Sequence, residues 1–251
     1  MKQTIKDLGE YAYKNGIDFG QSFNDMLDFF IGTFDMQRVL RYKCDYAQLF
    51  NDREQENPVL FSLLIRWIKT TNEGIAKDGA FDFFGTLYEE AVKSKFKASG
   101  MGQFFTPISL CQAMSEMISD DTCKTVNDCA CGSGRTLLAY FAKSDKTKFI
   151  YYQGEDLDPI CVKMCTLNFM IHGMLGRVIH HDALMQDFLG GYEVNEIRWP
   201  VPNNMCCIRQ LTGHEPRKLL FSKNEPTSAV KSPPKKVPKE ENQPQQLFFN
   251  F

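Results

Sequence analysis

Two short strings carry the chemistry legible in this chain: Gly102-Gln103-Phe104-Phe105-Thr106-Pro107 and, beyond a helix-sized segment, Asp128-Cys129-Ala130-Cys131-Gly132-Ser133-Gly134. The second ends an apolar run and opens a helix, the place where an α/β fold cradles a nucleotide-like cofactor. Gly132 and Gly134 permit positive φ and close backbone approach, so the loop, with Cys131 and Ser133 inside it, can wrap the amino-acid end of S-adenosylmethionine. Asp128 is placed to accept from that ligand's ammonium. Asp156 ends the next strand, where an acid can take both ribose hydroxyls in a bidentate hydrogen bond, and Asp182 ends the third, where it could accept from the adenine amine. Glu155 competes with Asp156, but strand alternation turns it to the opposite face. Each acid alone serves equally well as a helix cap or a solvated strand end. Three at successive strand ends point together to a cofactor.

The elements that must hold these residues change period along the chain. Up to about residue 100 the pattern is helical. Residues 25–31 follow a Ser22 cap candidate, and Asn57-Pro58 is a cap-plus-first-turn signature ahead of the apolar run 59–68. A further helix is expected over 81–92, with Lys93, Lys95 and Lys97 near its C-terminal end, where cations suit the dipole. From about residue 107, helices and strands alternate. A helix is expected over 107–118, a strand over 125–128, a helix over 135–142, a strand over 148–154, a helix over 159–171 capped by Asp158, and a strand over 177–180. Such alternation implies a parallel sheet with right-handed crossovers. The expected fold class is therefore α/β: an N-terminal helical bundle (1–100), a partial Rossmann-like sheet (101–220) and a disordered tail (221–251).

Composition sets the bounds. A chain of 251 residues, 43% hydrophobic, can bury one good core with room for a second small module. No stretch approaches the roughly 20 apolar residues of a membrane span, and the N-terminus has no apolar signal core, so a cytoplasmic protein is expected. The nine cysteines are odd in number and scattered through core-like segments, which favours free thiols. Their spacings lack the paired CxxC of a zinc site, and no metal is expected. A net charge of −2 leaves DNA binding open.

The stretch from about residue 82 to 184 resembles the modification subunit of type I restriction systems and similar bacterial N6-adenine DNA methyltransferases. The string from Gly102 to Pro107 is similar, almost letter for letter, to that family's Gly-Gln-Phe-Tyr-Thr-Pro. Asp128 to Gly134 is similar to Asp-Pro-Ala-Cys-Gly-Ser-Gly with Cys129 for proline, and Gly154-Glu155-Asp156-Leu157-Asp158-Pro159 to Gly-x-Glu-x-x-Pro with Asp156 for glutamate. Gly85-x-x-Tyr88-Glu89 resembles the helix placed before the first string. The resemblance implies an S-adenosylmethionine-dependent enzyme acting on DNA in a restriction-modification or mobile-element setting. It implies that Phe104, Phe105 and Thr106 approach the methionine portion of the cofactor, and it makes a specificity or restriction subunit a possible partner.

The departure from the family is as informative. Members follow the third acid with Asn-Pro-Pro and an aromatic residue at the end of a fourth strand, which accept from and stack on the flipped adenine. This chain has no Asn-Pro-Pro. Pro200-Val201-Pro202-Asn203-Asn204 has the wrong order, with 205–208 after it as the candidate fourth strand, and Asn57-Pro58-Val59 starts a helix. No catalytic residue is assigned. A non-catalytic module that keeps the fold and binds a cofactor or a protein is the second reading. Beyond about residue 221 the chain is rich in proline, lysine and glutamate, a composition that cannot offset ordering entropy. It ends in Gln246-Leu247-Phe248-Phe249-Asn250-Phe251, which resembles the peptides that hold the bacterial sliding clamp; packing on its own domain is the plainer alternative.

Overall fold

The computed structural model describes residues 1–93, 105–118, 123–185, 187–196 and 206–211, without the side chains of residues 92 and 93. The chain opens with helices α1 (Lys2–Asn15), α2 (Phe19–Thr33), α3 (Met36–Arg41), α4 (Tyr46–Glu56), α5 (Pro58–Asp78) and α6 (Phe83–Lys93). Carboxylates and an amide set several of their starts. Asp18 accepts from the Gln21 amide, Asp35 from those of Gln37 and Arg38, Asp45 from that of Gln48, and Asn57, followed by Pro58, from that of Leu60. Ser22 is not the cap the sequence suggested. Asp18, four residues earlier, takes that role, and the Ser22 hydroxyl donates back to the Phe19 carbonyl inside the helix.

After α7 (Ile108–Ile118) the sheet begins: β1 (Thr125–Asp128), α8 (Arg135–Lys143), β2 (Tyr151–Asp156), α9 (Pro159–Ile171), β3 (Gly176–Asp182), β4 (Asp187–Val194) and β5 (Ile208–Leu211). The strand order is β1-β2-β3-β4-β5. The first three strands are parallel as expected, with Thr125 opposite Tyr151 and Tyr152 opposite Gly176. The sheet then departs from the all-parallel expectation, because β4 and β5 run antiparallel to their neighbours. The physical reason is a tight reversal: the Asp182 carboxylate accepts from the Leu184 and Met185 amides and folds the chain back at once, leaving no room for a crossover helix. The expected fourth strand at 205–208 is also corrected. Ile208 starts β5, at the sheet edge opposite β1, where its amide donates to the Phe34 carbonyl at the end of α2.

Helix α9 joins the two parts. Its sequence is apolar nearly all round, and every residue from Met164 to Ile171 is buried between the helical bundle and the sheet. One continuous core results, running from Phe30, Trp67 and Phe84, with Phe30 stacked on Trp67 at 5.2 Å, through Phe169 to Tyr152 and Val178.

His172, just past α9, fastens the entry to α6. Its Nε2 accepts from the Phe81 amide at 3.0 Å, so Nδ1 carries the proton and donates to the Asn168 carbonyl at 2.6 Å. Burial pushes its pKa down to about 4. A folded-state value below the unfolded value near 6.5 stabilises the protein fully above pH 6.5, and that stability is lost as pH falls toward 4. Urea unfolding is expected to show about 2 kcal/mol of stability lost between pH 7.5 and pH 5 through this group. A His172→Gln variant should lack that increment; an unchanged pH dependence would assign it elsewhere.

Candidate functional site

Because β1, β2 and β3 are parallel, their C-terminal ends share one edge of the sheet. Register brings the three acids there in echelon: Asp128 lies opposite Gly154 and Asp156 opposite His180, each two residues short of the next acid on the neighbouring strand. Two residues is one pleat, so Asp128 and Asp156 project from the same face. Glu155 turns the other way, as alternation requires. It is buried and pairs with Nδ1 of His181 at 2.6 Å, and the Gln153 amide donates to its carboxylate.

Each acid also organises its own turn. Asp128 accepts from the Ala130 amide at 3.1 Å and from the Thr136 hydroxyl. Asp156 accepts from the Gly132 amide at 2.8 Å on one oxygen and from the Asp158 amide at 2.9 Å on the other. Asp182 uses a single oxygen for both of its amides. A carboxylate offers about four acceptor sites, so each retains capacity for a ligand donor while holding its turn. Asp156 thereby ties the glycine loop to the end of β2.

The loop needs its glycines for space as well as dihedrals. Gly132 has φ 55°, and a Cβ there would lie 2.9 Å from Cδ1 of Phe105, so the lead-in string rests directly on the loop. Gly134 caps α8 at φ 87°, and a Cβ there would meet the Cys165 sulfur at 2.7 Å. Gly132→Ala is expected to cost about 1–2 kcal/mol from the left-handed backbone alone, and to displace Phe105. Thermal melts of the variant check the loss of stability.

Of the other residues singled out in the sequence, Cys131 and Ser133 turn inward. The neighbouring Cys165 first, then burial, push the Cys131 thiol well above its usual pKa, so it packs as a neutral group. The Ser133 hydroxyl donates to Asp82 at 2.7 Å. Their backbone is engaged as well: the Cys131 amide donates to the Glu155 carbonyl at 2.9 Å, and the Ser133 carbonyl accepts from the Asn168 side-chain amide at 2.8 Å. Phe105 and Thr106 are half-buried, and Phe105 meets Tyr88 edge-on at 5.4 Å. Phe104, the tail with Gln246 to Phe251, and residues 200–204 lie outside the described residues.

Behind the loop stands a brace that the sequence reading missed. Asp82 accepts from Ser133, from Arg135 Nε at 2.9 Å, from the Asn168 side-chain amide at 2.8 Å, and from the Gly85 amide at 2.9 Å, which caps α6. Arg135 also donates to Glu89 at 3.0 Å and to the Thr106 carbonyl at 3.3 Å. Burial works against its charge, and Asp82 and Glu89 more than offset that, holding its pKa above the ordinary value. Gly85 makes the close approach possible, since a Cβ would lie 2.0 Å from the Asp82 carboxylate. The helical bundle, the glycine loop and the lead-in string are thus bolted at one buried point. The sequence signal was the Gly85-x-x-Tyr88-Glu89 spacing.

Three exposed apolar side chains, Leu157, Leu184 and Met185, flank Asp156 and Asp182 in sequence. They offer apolar surface beside the acids, and the period-based reading had no way to single them out. A separate cleft of about 570 Å³, lined by Asp28, Asp35, Arg38, Lys163, Tyr192 and Gln210 among others, includes none of the strand-end acids.

With this geometry in place, the similarities to known proteins are specific. Residues 79–197 match the family model described as N-6 DNA Methylase, which bears out the resemblance read from the two strings. The chain is 29% identical over 189 residues to the type I restriction enzyme MpnII methylase subunit of Mycoplasma pneumoniae, covering 69% of this chain and 34% of that protein. It is 26% identical over 121 residues to the EcoEI methylase subunit of Escherichia coli, covering 44% of this chain and 25% of that one. It is also 26% identical over 133 residues to the MjaIX methylase subunit of Methanocaldococcus jannaschii, covering 47% of this chain and 24% of that one. The chain spans about a third or less of the length of these relatives. No solved structure matches it.

Proposed function

We propose that this chain, whose residues 79–197 are of the N-6 DNA methylase family, is the S-adenosylmethionine-binding part of a DNA adenine-N6 methyltransferase in a restriction-modification or mobile-element system. The observation that carries this reading is the echelon of Asp128, Asp156 and Asp182 around a loop braced by Asp82.

The residues present fit the cofactor. Asp128 would accept from its ammonium, Asp156 from its ribose hydroxyls and Asp182 from its adenine amine. Leu157, exposed beside Asp156, would cover a face of the base. Phe105 and Thr106, held against Gly132 and Arg135, would line the methionine end, and the same role is proposed for Phe104 from the string alone. The cofactor supplies a methyl group on a sulfonium centre. The chain's own contribution is binding and orientation: the acids fix the two ends of the ligand, and the brace keeps the loop from moving between them.

DNA is the substrate on this reading, and a specificity or restriction subunit is the expected partner. The cytoplasm, where DNA and cofactor meet, is the expected compartment; no helix among the described residues is long and apolar enough to cross a membrane. Division into a helical domain (1–100), a cofactor domain (101–220) and a tail (221–251) belongs to the same proposal, as does sliding-clamp docking through Gln246 to Phe251. The absence of Asn-Pro-Pro supports a second reading, a non-catalytic module that binds the cofactor without transferring methyl groups. Transfer of labelled methyl to unmethylated DNA separates the two. Incorporation that is lost with Asp156→Ala supports the enzyme. No incorporation together with measurable cofactor binding supports the module.

A further inference from the structure

The turn that follows Asp156 is held from several directions. The Asp156 carboxylate accepts from the Asp158 amide at 2.9 Å, and the Asp158 carboxylate accepts from the Ile160 amide at 2.8 Å as it caps α9. A further hold comes from the neighbouring strand, where Nε2 of His180 lies 2.9 Å from the Leu157 carbonyl oxygen. A carbonyl only accepts, so Nε2 carries the proton and the imidazole donates. The Leu157 carbonyl and the Asp158 amide belong to one peptide unit. His180 and Asp156 therefore grip that plane at its two poles.

Register puts His180 in place for this, because it stands opposite Asp156 in the pairing of β2 with β3. Residues paired across strands project from one face, so the imidazole shares the face of Asp128 and Asp156. Alternation separates the two adjacent histidines. His181 is buried against Glu155 on the opposite face, and His180, half-buried, is left on the side of the acids.

The residue held by this grip is apolar: Leu157 is 59% exposed. Fixing the peptide plane that follows a residue fixes its ψ, which limits the directions its side chain can take. We infer that His180 is a positioning residue for the adenine of the cofactor: by donating to the Leu157 carbonyl it sets the Leu157 side chain against the face of the base. The inference rests on the cofactor reading proposed above, in which Leu157 covers that face. Holding the turn before the ligand arrives removes an ordering cost from binding.

Titration calorimetry of the 251-residue chain with S-adenosylmethionine tests this with a set of variants. His180→Ala should weaken binding by about fivefold, the usual net contribution of one hydrogen bond. His180→Gln, whose side-chain amide can donate to the same carbonyl, should restore most of the affinity. Leu157→Ala should weaken binding by a similar factor or more. Adding His180→Ala to Leu157→Ala should then change little, because no side chain is left to position. Thermal melts of all these variants should stay within about 2 °C of wild type. Wild-type affinity in either alanine variant, no rescue by glutamine, or losses that multiply in the double variant overturn the inference and leave the cofactor reading standing. A melting temperature lowered by His180→Ala in step with affinity assigns His180 a structural role and overturns it too. A folded wild-type chain that binds no cofactor overturns both the reading and the inference.

Discussion

Replacing Asp82 by alanine should lower stability by about 3–5 kcal/mol, the range for removing one partner of a buried ion pair. Side chains of Asp82 and Arg135 are 2% and 7% exposed, and the guanidinium would be left with Glu89, itself 33% exposed, as its remaining carboxylate. Ser133 and Asn168 would lose an acceptor at the same time, and α6 its cap. For a chain of this size the melting temperature should fall by roughly 10 °C. Asp82→Asn keeps an oxygen for some of these donors and should fall between wild type and alanine. A melting temperature within about 2 °C of wild type would show that the brace does not hold the loop.

Replacing Asp156 by alanine should instead act mainly on the ligand. The carboxylate holds the Gly132 and Asp158 amides, so its loss frees the loop as well as removing the proposed ribose acceptor. Hydrogen bonds to a charged group contribute about 1.5–3 kcal/mol each. Losing two to the ribose weakens cofactor binding by about 100-fold or more. Titration calorimetry on wild type and variant reads this directly, with circular dichroism as the fold control. An unchanged affinity would place the cofactor elsewhere.

The contrast between these two acids shows what a sequence can reveal. The position of Asp156 at a strand end was legible because it follows a glycine loop by one crossover, a pattern contained in a local window. The same window located β1 at residues 125–128 and α9 at 159–171 with Asp158 as its cap. Asp82 was not, since its partners Ser133, Arg135 and Asn168 are 51, 53 and 86 residues away. Strand β4 was missed for a local reason. Gly190 and Gly191, at φ 141° and 152°, interrupt the alternation that signals a strand. The position of β5 depends on strand order, which pairs residues far apart in sequence. Its packing against Phe34 left no mark in the pattern around residue 208.

The central claim is that the three strand-end acids and the braced loop bind S-adenosylmethionine. Calorimetric titration of the wild-type 251-residue chain with S-adenosylmethionine tests it most directly. Saturable binding at one site per chain, abolished or strongly weakened by Asp156→Ala and by Asp128→Ala, is the predicted result. A folded wild-type chain that releases no heat and shows no thermal stabilisation with saturating cofactor would contradict it.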